Sequence, residues 1–313
     1  MRRQFAIVPV LALVHTALWA QSGDVVNAVR RAAWANDLVK AERLVADFRA
    51  QNAVVTPRLL EAISWAARGA SFVKNWDKAE AYAREAYEGS QLLLQQRPLA
   101  ADRSLPVALG AAIEVLGVVR DARGDRAGAV EFLRAERLRF QGSSIEMRIQ
   151  KNIHLLSLEG KPAPEVGMTQ WIGEKPKSIA ALKGQVVLLF FWAHWCAECK
   201  SQMPALGRLA AEFSSSGLTI VGPTELFGYI TRGAEATPEQ ELEYLRTEYQ
   251  KNHPIPSWLS VPVGPENFRK LGISTTPTLL LVDRGGTVRM YHPGVLSYEA
   301  LAAKIEPLLR PRT

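Results

Sequence analysis

Residues 191–200 read Phe191-Trp192-Ala193-His194-Trp195-Cys196-Ala197-Glu198-Cys199-Lys200 and contain the only two cysteines in a chain of 313 residues. The apolar run from Val186 to Trp192 predicts a buried strand before the cysteines, and the pattern after them predicts a helix. A sulfur in the first turn of a helix faces free N–H groups and the positive end of the helix dipole, which favours the thiolate. A second sulfur one turn later can form a disulfide with the first.

The spacing of the two cysteines indicates redox chemistry. A disulfide between Cys196 and Cys199 closes a very short loop, and such a loop contributes little chain-entropy stabilisation. A secreted domain held together by disulfides carries several cysteines at wide spacing. The pair is therefore predicted to be catalytic and not structural.

The overall composition indicates a globular protein with two domains. Hydrophobic residues make up 48% of the chain and charged residues 22%, which argues against a disordered chain. The length suffices for two separate cores. The net charge of +7 is mild, and Lys and Arg are not clustered with aromatic residues, so nucleic-acid binding is not expected. A basic surface favours an acidic partner or peripheral association with an anionic membrane.

The N-terminal segment 1–20 is predicted to be a signal peptide. Arg2 and Arg3 precede an apolar run over residues 5–14, and Ala20 is a small residue before an expected cleavage near Gln21. An uncleaved anchor is the alternative, but the run is shorter than the roughly 20 residues that a membrane span needs. The sequence therefore predicts export to the periplasm or another extracytoplasmic space, where thiols meet oxidising conditions.

Residues 21–158 are predicted to form a helical domain. Apolar residues recur there at three and four positions, as in amphipathic helices. A short polar turn followed by a helix occurs three times, at residues 36–42, 75–80 and 124–130, and Ala79, Ala83 and Ala86 supply small residues to one helix. These segments resemble degenerate tetratricopeptide (TPR) repeats, which are stacked helix pairs. A plain helical bundle is the alternative.

Residues 159–313 are predicted to form an α/β domain. Two prolines and a glycine in segment 159–164 end the helical pattern. The expected strands are 186–192, 218–221, 278–282 and 287–291, the last two joined by a turn at 283–286. The expected helices are 199–213, with a kink at Pro204, 237–252, with Thr237 as its cap, and a terminal helix capped by Ser297.

Three segments of this second half resemble a known family. They are Trp195-Cys196-Ala197-Glu198-Cys199-Lys200 with Met203-Pro204, then Ile273-Ser274-Thr275-Thr276-Pro277-Thr278, and the entry segment 162–164 with 181–186. Together they resemble the thioredoxin superfamily, and within it the exported TlpA/ResA-like thiol–disulfide oxidoreductases. The resemblance covers about half of the chain, from residue 158 onward. It implies an α/β thioredoxin-like fold for residues 159–313.

The resemblance also implies a role for each of five residues. Cys196 would be the attacking thiolate and Cys199 the resolving thiol. Pro277 would follow a cis peptide bond, and the backbone of Thr276 would pair with a bound client, while Trp195 would flank the site. The implied partners are client protein disulfides or thiols and a redox partner that recycles the pair. The disulfide is the redox group, and no other cofactor is expected.

Two departures from the family bear on the direction of electron flow. Thioredoxin has a buried aspartate where this chain has Phe190, and many TlpA/ResA-like proteins have a glutamate where this chain has Gln202. Water or Glu198 would then accept the proton of Cys199. Glu198 between the two thiols also disfavours the thiolate, and a less stabilised thiolate makes a more reducing couple. The sequence therefore predicts a reductant.

Two alternative functions are compatible with the sequence. One is a non-catalytic interaction scaffold of TPR type that carries a thioredoxin-like domain. The other is a dithiol protein that handles Cu(I), since this ion prefers soft thiolate ligands. The five histidines form no spaced pair, so no closed four-ligand metal site is expected. His194, two residues before Cys196, is interpreted as structural.

Overall fold

The computed structural model describes residues 25–310 apart from residues 53, 168 and 232, so the predicted signal peptide lies outside the described residues. The chain divides into two compact units between Ile149 and Gln150. This division falls within helix α7, Glu146–Ser157. The domain boundaries expected after residues 20 and 158 stay predictions.

The first unit is a succession of helices, as expected from its sequence pattern. Three pairs of consecutive helices build it, and each pair is joined by a tight turn. The pairs are α1 (25–34) with α2 (Leu38–Ala50), α3 (Pro57–Phe72) with α4 (Trp76–Leu94), and α5 (Ser104–Ala122) with α6 (Arg126–Arg139). A 3-10 turn, Leu99–Ala101, precedes α5.

The same turn closes all three helix pairs. Each turn contains one residue with a positive φ and then an Asp or Asn whose side chain accepts the N–H three residues later. The positive-φ residues are Asn36, Lys74 and Gly124, and the capping residues are Asp37, Asn75 and Asp125, with N···O distances of 3.0, 3.2 and 2.9 Å. These caps satisfy N–H groups that a helix start leaves open. The helical character is confirmed, and the assignment to degenerate TPR repeats stays a prediction.

The second unit is built on a six-stranded mixed sheet with strand order β1-β6-β3-β2-β7-β8. The strands β2, β3 and β6 run parallel, whereas β7, β8 and β1 join by antiparallel pairing. The strands are β1 (Gln170–Ile172), β2 (Val186–Phe191), β3 (Leu218–Val221), β6 (Leu259–Val263), β7 (Thr278–Val282) and β8 (Val288–Pro293). All six residues of β2 are buried, as its continuous apolar run predicts for a central strand.

Helices and a small hairpin complete this unit. Helix α8 (Ala197–Phe213) follows β2, and α12 (Tyr298–Leu309) packs on α8 and β2. Two short strands, β4 (Tyr229–Thr231) and β5 (Ala234–Glu235), form a separate antiparallel hairpin. The remaining helices are α9 (Pro238–Arg246), α10 (Glu248–Asn252) and α11 (Pro265–Leu271), and a 3-10 turn covers Ala180–Leu182. This is the α/β arrangement that the resemblance implies.

The expected helix over residues 237–252 is wrong in its length. It begins as predicted, with a capping box between Thr237 and Gln240, but it breaks at Thr247, whose backbone leaves the helical region. The Thr247 hydroxyl donates to the carbonyl of Glu243 at 2.8 Å, and such back-bonding by a Ser or Thr hydroxyl often bends helices. The result is two helices, α9 and α10. Among the described helices, none is both long enough and apolar enough to cross a membrane.

Candidate active site

The two cysteines form a disulfide at the start of helix α8. Cys196 occupies the N-cap position, and its sulfur accepts the backbone N–H of Cys199 at 3.1 Å. The Cα atoms of the pair are 5.2 Å apart. Both residues are only 2% exposed. The N-cap hydrogen bond and the helix dipole both favour negative charge on Cys196, so this sulfur is the better stabilised thiolate of the reduced pair.

Trp192 anchors the end of β2 just before the disulfide. Its indole N–H donates to the carbonyl of Gly222 at 2.9 Å, and its own carbonyl accepts the hydroxyl of Thr224 at 2.8 Å. Both partners follow β3, the parallel neighbour of β2. These two hydrogen bonds join the carboxyl ends of two parallel strands just before Cys196. They therefore fix the position of the N-terminus of α8.

The Thr276–Pro277 segment faces the disulfide. Its peptide bond is cis, as predicted. The carbonyl oxygen of Thr276 lies 3.4 Å from the sulfur of Cys196. Pro277 is buried and Thr276 half-buried, directly before strand β7, which pairs with β2. The structure therefore brings together Cys196, Cys199, Thr276 and Pro277, four of the five residues that the sequence singles out.

Trp195, the fifth residue, stands beside the disulfide in an exposed aromatic cluster. Its side chain is 47% exposed. Phe227 packs edge-on against it with ring centroids 5.4 Å apart, and Tyr229 of β4 lies at 6.4 Å. A cavity of about 660 Å³ opens here, lined by these three aromatic residues and by the β4–β5 hairpin. The site therefore offers an apolar surface next to the sulfur of Cys196.

Glu241 holds this aromatic surface in place from below. It lies on α9 and is 0% exposed. Its two carboxylate oxygens accept the backbone N–H groups of Phe227 and Gly228 at 2.9 and 2.7 Å. Hydrogen bonds to a carboxylate are stronger than those between neutral groups. Glu241 thus fixes the backbone that carries Phe227 against Trp195.

His194 is buried beneath the same surface, away from solvent. Its Nε2 lies 3.1 Å from the carbonyl oxygen of Ile230, and since a carbonyl only accepts, we assign the hydrogen to Nε2. Its Nδ1 lies 3.6 Å from a carboxylate oxygen of Glu241. Burial lowers the pKa of His194, and the nearby Glu241 carboxylate opposes that shift. The contacts of His194 join β4 to the chain before Cys196.

The two positions that carry acidic residues in relatives carry a phenylalanine and a glutamine in this chain. Phe190 is buried in β2 at the position of the thioredoxin aspartate. Gln202 is also buried, but its amide is occupied: it donates to the carbonyl of Leu296 and accepts the N–H of Leu296, both at 2.9 Å. Glu198 is exposed. Gln202 therefore ties α8 to the segment before α12.

Glu225 is a half-buried carboxyl to which no motif in the sequence points. It follows β3 and is half-buried, and burial raises its pKa from 4.5 to about 7, with Arg269 opposing and Glu241 reinforcing the shift. Its place just beyond the carboxyl end of a parallel strand next to β2 is the one signal that points to it. No such signal exists for Glu241, which lies in an acidic helix that resembles a solvated face.

The raised pKa of Glu225 makes stability depend on pH. Between pH 4.5 and 7 the Glu225 carboxyl keeps its proton in the folded state but loses it in the unfolded chain. The free energy of unfolding therefore falls as the pH rises from 4.5 to 7. We expect Glu225→Gln to stabilise the chain at pH 8 by about 1 kcal/mol, a value reduced for partial solvent screening. At pH 4 the two chains should unfold alike. Urea denaturation at both pH values measures the difference.

Glu174→Gln is the matched control, because Glu174 is exposed in a loop of the same unit. We expect this variant to change stability little at either pH. An equal gain for Glu225→Gln at pH 4 and pH 8 would contradict the assignment of a raised pKa to Glu225.

Metal ligands are not clustered in the part of the chain that the structure describes. Within residues 25–310, apart from the three gaps, no group of three or more His, Cys, Asp or Glu side chains is placed to hold a metal ion.

Known proteins match the half of the chain that holds the cysteine pair. The model of the AhpC/TSA family matches residues 160–224, which include both cysteines. A thiol:disulfide interchange protein DsbE of Xylella fastidiosa is 30% identical over 156 residues, 49% of this chain and 70% of that protein. The thioredoxin-like protein YneN of Bacillus subtilis is 26% identical over 154 residues, 47% of this chain and 79% of that protein.

Solved structures match the same half of the chain, and one of them serves as an example. It is the crystal structure of a thioredoxin-family thiol:disulfide interchange protein from Chlorobium tepidum, with 25% identity and a TM-score of 0.36. The match covers 48% of this chain and 97% of the other.

Proposed function

Because the chain belongs to the thioredoxin-like thiol–disulfide oxidoreductases, the family of DsbE, we propose that it is an exported reductant of client protein disulfides. The observation that carries the proposal is the Cys196–Cys199 disulfide at the N-terminus of α8, with the Cys196 sulfur facing the Thr276 carbonyl. A helix N-terminus supplies the electrostatics that a nucleophilic thiolate needs.

The proposed reaction uses the two sulfurs in sequence. In the reduced protein the thiolate of Cys196 attacks a client disulfide, forms a mixed disulfide and expels one client thiolate. Cys199, held one turn further along α8, then attacks the sulfur of Cys196. This second step releases the other client thiolate and restores the Cys196–Cys199 disulfide. A redox partner must return two electrons to the pair before the next turnover.

The client would lie across Thr276 and Trp195. The backbone of Thr276 is half-buried beside the Cys196 sulfur and supplies a carbonyl to an extended segment. The exposed ring of Trp195, with Phe227 and Tyr229, forms an apolar wall for side chains near the client cysteine. Aromatic side chains of this kind contribute strongly to binding surfaces.

The direction of electron flow is tested by the midpoint potential of the pair. Glu198 stands in the first turn of α8, where its charge opposes a thiolate. We expect a potential nearer the roughly −270 mV of thioredoxin than the roughly −120 mV of a strong disulfide-forming oxidant. Equilibration with dithiothreitol or glutathione buffers measures the potential. Glu198→Gln should make the potential less negative, because the thiolate of the reduced pair is then better stabilised. A potential at the oxidant end would contradict the role of reductant.

We further propose that the helical unit docks the client. Its surface carries two exposed aromatic side chains, Trp34 (65% exposed) and Phe72 (40% exposed), whose ring centroids are 5.2 Å apart. The ring of the buried Trp65 lies 6.2 Å from that of Trp34. The guanidinium of Arg68 stacks on Trp65 at 4.7 Å. Exposed aromatic residues such as Trp34 and Phe72 are typical of interaction surfaces.

Replacing Trp34 by alanine in the full chain tests this docking role. We expect Trp34→Ala to lower the yield of the physiological client trapped by Cys199→Ser by about tenfold, the effect of losing one strong contact residue. Reduction of insulin, which needs only the cysteine site, should be unchanged. Leu138→Ala is the control, since Leu138 is equally exposed, at 65%, on α6. Equal trapping by all three chains would show that this patch does not dock the client.

A further inference from the structure

A second cavity, of about 460 Å³, lies between helix α8, helix α10 and the segment 253–259. Buried aromatic side chains form part of its wall, namely Phe190, Trp192 and Tyr249. Ile255 and Trp258 add half-buried apolar surface. Cavities of about 300–1,000 Å³ with mainly apolar walls and a few polar groups are typical of small-molecule sites. The space is therefore large enough for a small aromatic molecule.

One face of α8 explains why this space is not filled. Lys200, Met203, Pro204 and Gly207 line the cavity, and their spacing of three and four residues places them on the same side of the helix. A Cβ at Gly207 would have one atom within 4 Å outside the helix backbone, a ring atom of Trp258 at 3.7 Å. Pro204 and Gly207 thus carry too little side chain to fill the space beside them.

The walls of the cavity are held in place by their own packing. Trp192 is fixed by its indole hydrogen bond, and its ring lies 5.8 Å from that of Tyr249. The Tyr249 ring lies in turn 5.2 Å from that of His253. Pro254 and Pro256 restrict φ in the loop that follows. A site that is already formed loses little conformational freedom when a ligand binds.

The polar groups of the cavity favour an anion. Lys200 and His253 are lining residues that can carry positive charge, and Asn252 adds an amide. There is no carboxylate among the described residues that line the cavity. The Lys200 ammonium lies 5.9 Å from the centre of the Tyr249 ring, so the positive charge stands at the aromatic wall. An aromatic body with one negative charge would match both features.

We propose that this cavity binds a small aromatic molecule that carries one anionic group. The aromatic body packs against the rings of Trp192, Tyr249 and Trp258, and the anionic group pairs with the Lys200 ammonium. The site is separate from the cavity beside Trp195, because the two share no lining residue among the described ones. Binding is non-covalent and does not rest on disulfide exchange.

A matched pair of fluorescent probes tests the proposal on the full chain in its oxidised form. The anionic probe is 8-anilinonaphthalene-1-sulfonate, and the neutral probe is N-phenyl-1-naphthylamine, which has the same aromatic body without the sulfonate. We expect one equivalent of the anionic probe to bind with a Kd of roughly 10–100 µM, as is usual for a ligand of this size. The absence of saturable binding would overturn the proposal.

Filling the cavity locates the bound probe. Side chains of a helix lean toward its N-terminus, so a leucine at position 207 extends toward Pro204 and Met203. We expect Gly207→Leu to weaken binding of both probes by about tenfold or more. Ala211→Leu places the same side chain on an exposed position of α8 and should change the Kd by less than about twofold.

A smaller substitution keeps this test valid if the leucine variant folds poorly. Gly207→Ala adds one methyl group, which makes an ordinary contact with Trp258, and should weaken binding by an intermediate factor. Near-UV circular dichroism checks that each variant is folded. If folded Gly207→Ala and Gly207→Leu both bind the probes as the unmodified chain does, the probes bind elsewhere and the proposal is wrong.

Charge recognition is tested by removing the ammonium. Lys200→Met should weaken binding of the anionic probe by about threefold or more and that of the neutral probe by less than about twofold. Lys183→Met is the control, because it removes the same charge from an exposed loop of the same unit and should leave both Kd values nearly unchanged. An equal loss for both probes in Lys200→Met would contradict the pairing of the anion with Lys200.

The outcome is separable from that of the proposed function. Neither probe contains a thiol or a disulfide, so probe binding does not report on exchange at Cys196. If the probes do not bind while Cys199→Ser still traps protein clients, the cavity proposal is wrong and the reductase function stands. If the probes bind as expected while no client is trapped, the proposed function is wrong and the cavity site stands.

Discussion

Cys196→Ser is expected to lower kcat/KM for reduction of a protein disulfide by at least about 10³-fold, because a serine hydroxyl cannot replace the attacking thiolate. No other cysteine can take over, since Cys199 is the one remaining in the chain. Cys199→Ser is expected to differ in kind: the first exchange at Cys196 proceeds, but turnover stops at the mixed disulfide. Insulin reduction with dithiothreitol as electron donor, and single-turnover mixing without it, separate the two effects.

Ala197→Ser is the matched control for these cysteine variants. It introduces the same hydroxyl at an exposed position between the two sulfurs and should keep activity within about twofold of the unmodified chain. If Cys196→Ser retained turnover while Cys199→Ser lost the first exchange, the assigned order of attack would be reversed. If neither substitution affected insulin reduction, the disulfide would not be the redox site.

Glu241→Ala is expected to lower the free energy of unfolding of the second unit by about 2–4 kcal/mol, because two buried N–H groups lose their acceptor and each unsatisfied buried donor costs about 1–3 kcal/mol. The substitution leaves the N–H groups of Phe227 and Gly228 without their carboxylate, and it leaves His194 without its charged neighbour. Glu241→Gln keeps one acceptor oxygen and turns a donor toward the other N–H group, so an intermediate loss is expected. Urea denaturation measures both.

A local measurement connects this loss to the site. Hydrogen exchange at the amides of Phe227 and Gly228 should become much faster in Glu241→Ala, because these amides lose their acceptor. Glu243→Ala, on the exposed face of the same helix, should change stability by less than about 0.5 kcal/mol and leave those amides protected. Protected amides in Glu241→Ala would show that the carboxylate does not hold this segment.

The parts of the fold that could be predicted are those whose signals are local. The run Val186 to Trp192 is apolar at every position, which predicts a buried central strand, and β2 occupies residues 186–191. The turn at 283–286 between two apolar segments predicts a hairpin, and β7 and β8 form it. The start of α9 is predicted by Thr237 and Gln240, which form the capping box.

Strand β6 could not be predicted from its own sequence. Pro262 lies inside it, and proline normally argues against a central strand because it lacks an N–H group. In the structure the Pro262 carbonyl accepts the N–H of Thr224, and β6 pairs with β3 and β1 on either side. The ladder continues on both sides of Pro262, because the N–H of Gly222 donates to the Ser260 carbonyl and the N–H of Gly264 donates to the Thr224 carbonyl. Only the assembled sheet reveals this.

The cysteine site was predictable as a set of residues, but its supporting carboxylates were not. Trp-Cys-x-x-Cys after a buried strand and Thr276-Pro277 before another are signals that the sequence carries directly. Glu241 has acidic neighbours at positions 239 and 243, and nothing in that spacing distinguishes the buried carboxylate from the exposed ones. What distinguishes Glu241 is a tertiary contact: the loop 225–228 folds against α9, and two of its N–H groups donate to the Glu241 carboxylate.

The function of Gln202 could be predicted only in part. The absence of an acid at this position follows from the sequence, yet the sequence does not show what the amide does instead. Its paired hydrogen bonds to Leu296 require both a donor and an acceptor, which an ionised glutamate cannot supply. The position thus serves to join α8 to the segment before α12, and the proton of Cys199 must be accepted elsewhere.

The most direct test of the central claim is covalent capture by the full chain carrying Cys199→Ser. After mixing with insulin, intact-mass analysis and peptide mapping should find one insulin chain bound through a disulfide to Cys196, in close to stoichiometric amount. Dithiothreitol should release it. If no adduct forms at Cys196 under conditions in which the unmodified protein reduces insulin, Cys196 is not the attacking thiolate, and the assignment of this site as the thiol–disulfide exchange centre is contradicted.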